Sequence, residues 1–287
     1  MNITDRKAEA AAPGIRLIAM DLDGTLLTDD KRFTDRNARA VCLAAELGIE
    51  PVYVTGRPLS GIFDELLAVP GTRYAICSNG AVTVDIHTGA VLRSAGLDRG
   101  LVRQIVRSVI EKGCIYCVIA DGKGFSEEGS LRRQFDMFRG TQVELYLERT
   151  RRTVPDIYDL IDTAGVIENV WVMAEDGAQR DLIGQEARAA GDVRTVFTSP
   201  TDVEIGSPGA DKGVALLHLA EMLGIAGDQI AAIGDNGNDL GMLSCAGIAA
   251  VMGNAWEGIK AHAQVIAGSN EEDGAAEFIE WLAAFRR

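Results

Sequence analysis

Two aspartates, Asp21 and Asp23, close an apolar run and open the stretch IAMDLDGTLLTDD. Other polar groups sit at matching places, at or just past runs suited to buried strands. Thr55, Gly56 and Arg57 follow PVYV, Asp235, Asn238 and Asp239 follow AAI, and Lys212 starts a segment of helical character. In an open parallel sheet wound with helices the carboxyl ends of the strands face one crevice, so residues far apart in the chain can meet there. Asp21, Asp23, Asp235 and Asp239 would then crowd together, and two unit charges about 4 Å apart repel by about 4 kcal/mol at an effective dielectric of 20. Such a cluster calls for a cation. Its donors are all oxygens, without cysteine or histidine, which suits a hard ion such as Mg²⁺ that keeps several waters and shares a substrate phosphate. Singly, each piece has an ordinary reading as a turn, a cap or a strand end. Lys212 likewise reads as an ordinary helix-start lysine, although a cation there opposes the helix dipole and gives a mild hint of an anion nearby.

The elements that must position these groups are legible as alternating strand and helix. IRLIAM is a continuous apolar run of the doubly buried kind, and TDRNARAVCLAAELG is a helix capped by Thr34 and ended by Gly48. EPVYVTG reads as a strand, LSGIFDELLAV as a helix and YAICSNG as a strand. That order predicts an α/β fold with a doubly wound, Rossmann-like parallel sheet. From about Val84 the rhythm changes. VTVDIHTGAVL reads as a hairpin, DRGLVRQIVRSVIEKG as an amphipathic helix, and shorter elements follow to about Phe197, with the charged run LERTRRTVPD as a solvated face or linker. The regular pattern then returns in KGVALLHLAEMLG, QIAAIGDNGND, GIAAVMGNA, QVIAG and GAAEFIEWLAAF. The expected organisation is a core of residues 1–84 and 198–287, interrupted by an inserted α/β module at 85–197.

Composition narrows the functions. A formal charge of −14 over 287 residues argues against nucleic acid and anionic membrane as partners, whereas a small phosphorylated substrate needs only one local positive centre. No secretory leader or membrane-length apolar stretch is legible, and residues before about Gly14 read as a loose extension. Five cysteines fit a reducing, cytoplasmic setting. Cys114 and Cys117 fall in a strand on opposite faces and read as core residues. His87, His218 and His262 lack zinc-ligand spacing, and Trp171, Trp256 and Trp281 are assigned to packing.

Taken together, DLDGTLL, VTGRP, the lysine of GADKG, and GDNGND resemble the four motifs of the haloacid dehalogenase superfamily, in order and across nearly the whole chain. SNGA, VMGNA and EEDGAAEFI further resemble its Cof-type sugar-phosphatase branch, which carries an α/β cap between the second and third motifs. The resemblance implies Asp21 as the nucleophile that forms an aspartyl-phosphate, and Asp23 as the acid that protonates the leaving alcohol and the base that then activates water. It implies Mg²⁺ held by Asp21, the Asp23 carbonyl and Asp235, with Asn238 and Asp239 close by, and Thr55 and Lys212 on the phosphoryl oxygens. Gly56, Arg57, Asn79 and Asn254 are the expected substrate contacts. Dehalogenases and the related ion-pumping ATPases lack the second acid, so Asp23 favours a phosphatase of small phosphorylated metabolites, sugar phosphates foremost. A phosphomannomutase-like phosphotransferase, a phosphoacceptor signalling domain and an idle binding protein are the competing readings.

Overall fold

The computed structural model describes residues 1–3, 7–197 and 199–286. The chain divides into two compact units. One comprises Met1–Gly56, Ile62–Arg93 and Asp211–Arg287, and the other Arg57–Gly61 and Ser94–Ala210. Its first part supplies β1 (Asn2–Ile3), β2 (Leu17–Met20), β3 (Glu50–Val54), β4 (Tyr74–Cys77), β5 (Val82–Asp85) and β6 (Val91–Ser94). The middle supplies β7 (Ile115–Ala120), β8 (Lys123–Ser126), β9 (Arg151–Thr153), β10 (Ile167–Met173), β11 (Arg194–Val196) and β12 (Asp202–Gly206). The last part adds β13 (Ile230–Gly234), β14 (Ile248–Val251) and β15 (Val265–Ile266).

The first unit is built on a sheet ordered β1-β15-β14-β13-β2-β3-β4-β5-β6. From β15 to β4 all neighbours are parallel, and β1 and β5 join them antiparallel. All of β2 and β13 is buried, the outcome that the uninterrupted runs LIAM and IAAIG require when helices cover both sheet faces. The chain runs outward from β2 through β3 to β4, and on its return runs outward from β13 through β14 to β15. The reversal falls between β2 and β13, where Ala19 pairs with Ala232 and Met20 with Ile233. That switch point places the crevice at the carboxyl ends of these two strands. Behind it, the helix Asp35–Glu46 is capped by Thr34, whose Oγ1 accepts from the Asn37 amide at 3.1 Å. This helix packs against Gly274–Ala284, and Arg36 reaches both carboxylate oxygens of Glu280.

The second unit carries the sheet β11-β12-β10-β7-β8-β9, antiparallel except between β8 and β9. One face packs on the helices Arg99–Glu111 and Gly177–Ala190, capped by Asp98 and Asp176. Val102, Val106 and Val109 meet Val118, Val170 and Val203 there in a continuous core. Cys114 lies in that core, Cys117 is fully buried, and all five cysteines are free.

Several local expectations are corrected. The segment before Gly14 is not loose where it is described. Asn2–Ile3 pairs with β15, Lys7–Ala11 is helical, and Ala8 and Ala12 are fully buried; residues 4–6 lie outside the described residues. LSGIFDELLAV is not one helix. It is a 3-10 turn, Leu59–Gly61, and a four-residue helix, Asp64–Leu67, parted by extended backbone at Phe63. The helical spacing misleads because Gly61 belongs to the second unit, where a Cβ would come within 3.0 Å of the Tyr146 ring, and Asp64 belongs to the first. The run LERTRRTVPD forms the end of the helix Gln142–Thr150 and β9. Trp256 is not a packing residue, being 68% exposed, whereas Trp281 stacks on Phe278.

Candidate active site

Asp21 is the first residue past β2. Its amide donates to the Ile233 carbonyl at 3.1 Å, continuing the ladder to β13 and bringing the Asp235 loop alongside. Gly24, at φ +78°, allows the two loops to touch, because a Cβ there would lie 2.4 Å from Asp235 Oδ2. Lys212 is the first residue of the helix Lys212–Met222, whose N-cap Asp211 accepts from the amides of Gly213 and Val214. The lysine is fully buried. Its Nζ donates to Asp21 Oδ1 and to Asp239 Oδ1, each at 2.6 Å.

Asp239 is equally buried, and its other oxygen, Oδ2, accepts from the amides of Asp235 and Asn236 at 3.0 Å. It therefore holds the loop that presents Asp235 and grips the lysine at the same time. Burial would lower the Lys212 pKa, but Asp21 and Asp239 together hold it above the ordinary lysine value. Burial, helped by the Asp239 charge, pushes the Asp21 carboxyl well above the usual range against the pull of Lys212. Asp235 is raised to about 6, by burial first and by Asp239 next.

Three carboxylates around one lysine leave an excess of negative charge. Asp21, Asp235 and Asp239 each offer an oxygen within 4.8 Å of the others, and the group contains neither cysteine nor histidine. Both Asp239 oxygens are engaged, one by the lysine and one by loop amides, so the residues that fit a cation best are Asp21 and Asp235. An all-oxygen set of this kind suits a hard divalent ion.

The remaining expected residues fall into three places. Thr55, buried, follows β3; its carbonyl accepts from the Asn79 amide at 3.0 Å, and its amide donates to Ile76 at 2.8 Å. Asn79 is left-handed at φ 56° and accepts at Oδ1 from Asn238 Nδ2 at 3.0 Å. Gly56 backs onto it, since a Cβ there would lie 3.2 Å from Asn79 Oδ1. Thr55, Gly56, Asn79 and Asn238 thus form a continuous rim in the first unit. Asn254 is exposed, and its amide spans the Gly24 carbonyl and the Asn270 amide, each at 2.9 Å. Arg57 belongs to the second unit, where it donates to the Gly61 carbonyl and lies over the Tyr146 ring at 5.3 Å.

Two residues escaped sequence reasoning. Asn270 binds the Leu27 carbonyl and Asp29 Oδ1 through its side chain, so that with Asn254 it ties down the loop after Asp23. Its signal was the capping box Ser269 to Glu272. Lys31 pairs with Asp23 Oδ1 at 2.9 Å and had no periodic signal at all.

A carboxylate cluster on a buried lysine, at the switch point of a doubly wound sheet, is an arrangement suited to phosphoryl transfer. Residues 18–279 match the family model of the haloacid dehalogenase-like hydrolases, and the chain belongs to that family. It is 30% identical over 269 residues to a pyridoxal phosphate phosphatase of Escherichia coli, covering 92% of this chain and 97% of the relative. A 5-amino-6-(5-phospho-D-ribitylamino)uracil phosphatase of Bacillus subtilis is 25% identical over 93% of this chain and 96% of its own. A crystal structure of a haloacid dehalogenase-like hydrolase from Bacteroides thetaiotaomicron superposes with a TM-score of 0.81 at 27% identity, over 93% of this chain and 99% of that one. The protein is a phosphatase of phosphorylated small molecules. Among its described residues no helix is long and apolar enough to cross a membrane.

Proposed function

We propose that this chain is a Mg²⁺-dependent cytoplasmic phosphatase that hydrolyses small phosphorylated metabolites, sugar phosphates among them, through an aspartyl-phosphate on Asp21. The observation that carries the reading is the convergence of Asp21 and Asp239 on the buried ammonium of Lys212, with a carboxylate oxygen of Asp235 within 4.8 Å of theirs. Asp21 presents Oδ2 to phosphorus while Oδ1 is held by the lysine. The bond from Asp21 to phosphorus forms as the ester bond to the alcohol breaks, and the Asp23 carboxyl gives its proton to the departing oxygen. Water then attacks the aspartyl-phosphate and loses a proton to Asp23, and inorganic phosphate leaves with Asp21 restored.

Lys212 has three donors, two of them on Asp21 and Asp239, so its third is available to a phosphoryl oxygen. Thr55, with Asn79 at the same rim, supplies further polar contacts. Mg²⁺, held by Asp21, the Asp23 carbonyl and Asp235, would offset charge on the phosphoryl oxygens, with Asn238 and Asp239 supporting its ligands. The second unit corresponds to the cap that the resemblance implies, and Arg57 is a candidate substrate residue. Pyridoxal phosphate and a ribitylaminopyrimidine phosphate join sugar phosphates as candidates, a choice supported by the names of two relatives. Free cysteines throughout accord with a reducing compartment.

The test is phosphate release from a panel of these compounds with Mg²⁺ or EDTA, using the wild type and Asp21→Asn. Wild-type turnover should stop in EDTA, and the variant should lose roughly 10³-fold or more in kcat while keeping its circular dichroism. Comparable activity in the variant removes Asp21 as nucleophile. Dependence on a bisphosphorylated sugar with little phosphate released identifies a phosphotransferase instead.

A further inference from the structure

The chain after Asp23 turns back on itself. Leu27 pairs antiparallel with Phe33, the Thr28 amide donates to the Arg32 carbonyl at 3.1 Å, and Thr28 Oγ1 accepts from the Arg32 amide at 3.1 Å. At the tip, Lys31 donates its amide to the Thr28 carbonyl at 2.8 Å and takes a left-handed conformation, φ 61°. Side chains other than glycine, asparagine and aspartate seldom adopt that conformation, and where they do the surrounding structure has imposed it. Here it accompanies a defined contact: Lys31 Nζ lies 2.9 Å from Asp23 Oδ1, with both side chains about two-fifths exposed, at 41% and 38%. The turn itself is anchored from outside. Asn270 holds the Leu27 carbonyl and Asp29 Oδ1, and Glu271 accepts from the Asp29 amide at 2.7 Å.

We infer that Lys31 is a positioning residue for Asp23, fixing one carboxylate oxygen so that the other faces the oxygen that gains and loses the proton. This rests on the acid and base roles proposed for Asp23. A carboxylate side chain has more than one staggered rotamer open to it, and only a proton donor within hydrogen-bond reach of the leaving oxygen contributes to its departure. An ammonium held by a tight turn narrows that choice. Because the pair is solvated, the effect on fold stability is small, which separates this role from a structural one.

The experiment compares Lys31→Met, Lys31→Arg and Asp23→Asn with the wild type on p-nitrophenyl phosphate, whose leaving group needs little protonation, and on phenyl phosphate, whose leaving group needs more. Lys31→Met should lower kcat about fivefold for phenyl phosphate and under about twofold for p-nitrophenyl phosphate, with KM and the melting temperature unchanged. Lys31→Arg, which keeps the cation, should restore most of the loss. An equal loss on both substrates, a change confined to KM, or no change overturns the inference, provided Asp23→Asn shows the leaving-group dependence. If Asp23→Asn lacks that dependence, the acid role falls and the role of Lys31 falls with it.

Discussion

Lys212 holds a full charge where water does not reach, and a lone buried ammonium would be costly enough to lose its proton. Two carboxylates at 2.6 Å prevent this, and the ammonium in turn fixes Asp21 Oδ1 and Asp239 Oδ1. A buried ion pair adds little net stability, so the reason for this triad lies in geometry. The acids are tolerated because the lysine and the Asp239 amide contacts divide the charge among them, and a bound cation would take up the remainder. Gly24 is the residue on which the approach of the two acidic loops depends. Gly24→Ala should cost more than about 1 kcal/mol of stability through its positive φ, and about 10²-fold in kcat/KM by pushing Asp235 aside. Urea denaturation and steady-state kinetics measure the two effects, and a variant with wild-type kinetics would show that the loops need no such contact.

At the level of single elements, caps and turns hold the strand ends in place. Thr34, Asp98, Asp176 and Asp211 cap the helices that back the two sheets, and each could be anticipated from its place before an apolar-periodic segment. At the end of β5, Asp85 closes the turn to β6. Its Oδ2 accepts from Arg73 Nε at 2.7 Å, and its Oδ1 accepts from the amides of His87 and Thr88 at 3.0 Å. The Arg73 hydrogen bond, with the two amides, holds the carboxyl down at about 2 although burial opposes it. A folded pKa below the unfolded value means that this contribution to stability is complete above about pH 4 and is lost as pH falls toward 2. Asp85→Asn should therefore flatten the acid limb of the stability curve between about pH 4 and pH 2. Denaturant midpoints measured across that range provide the check, and an unchanged slope would mean that the turn carries no such linkage.

For the whole molecule, the main electrostatic fact is that a chain of net charge −14 gathers three of its acids at one point. A ligand that binds the folded state alone stabilises it by RT ln(1 + [L]/Kd), about 2.7 kcal/mol at a hundredfold excess over Kd. Saturating Mg²⁺ should thus raise the thermal midpoint by about 5 °C, and the rise should vanish in Asp235→Asn. Equal shifts in both proteins would place the ion elsewhere. Family membership and the superposition at a TM-score of 0.81 fix the scaffold.

How much of this was legible follows from the range of each interaction. Burial of LIAM and IAAIG, the Thr34 cap and the Gly48 terminator depend on neighbours within a few positions, so composition and spacing determined them. The types of residue at the strand ends likewise announced phosphoryl chemistry before any contact was known. Which acids share Lys212 depends on strand order and register, because Asp21 lies 191 positions from the lysine and Asp239 lies 27. That Asn254 and Asn270 hold the loop after Asp23, and that Asn2–Ile3 adds a strand beside β15, were decided by tertiary structure alone. Hydrogen bonds between distant segments leave no periodicity in the chain, since either partner looks like any other surface residue until the fold brings the two together.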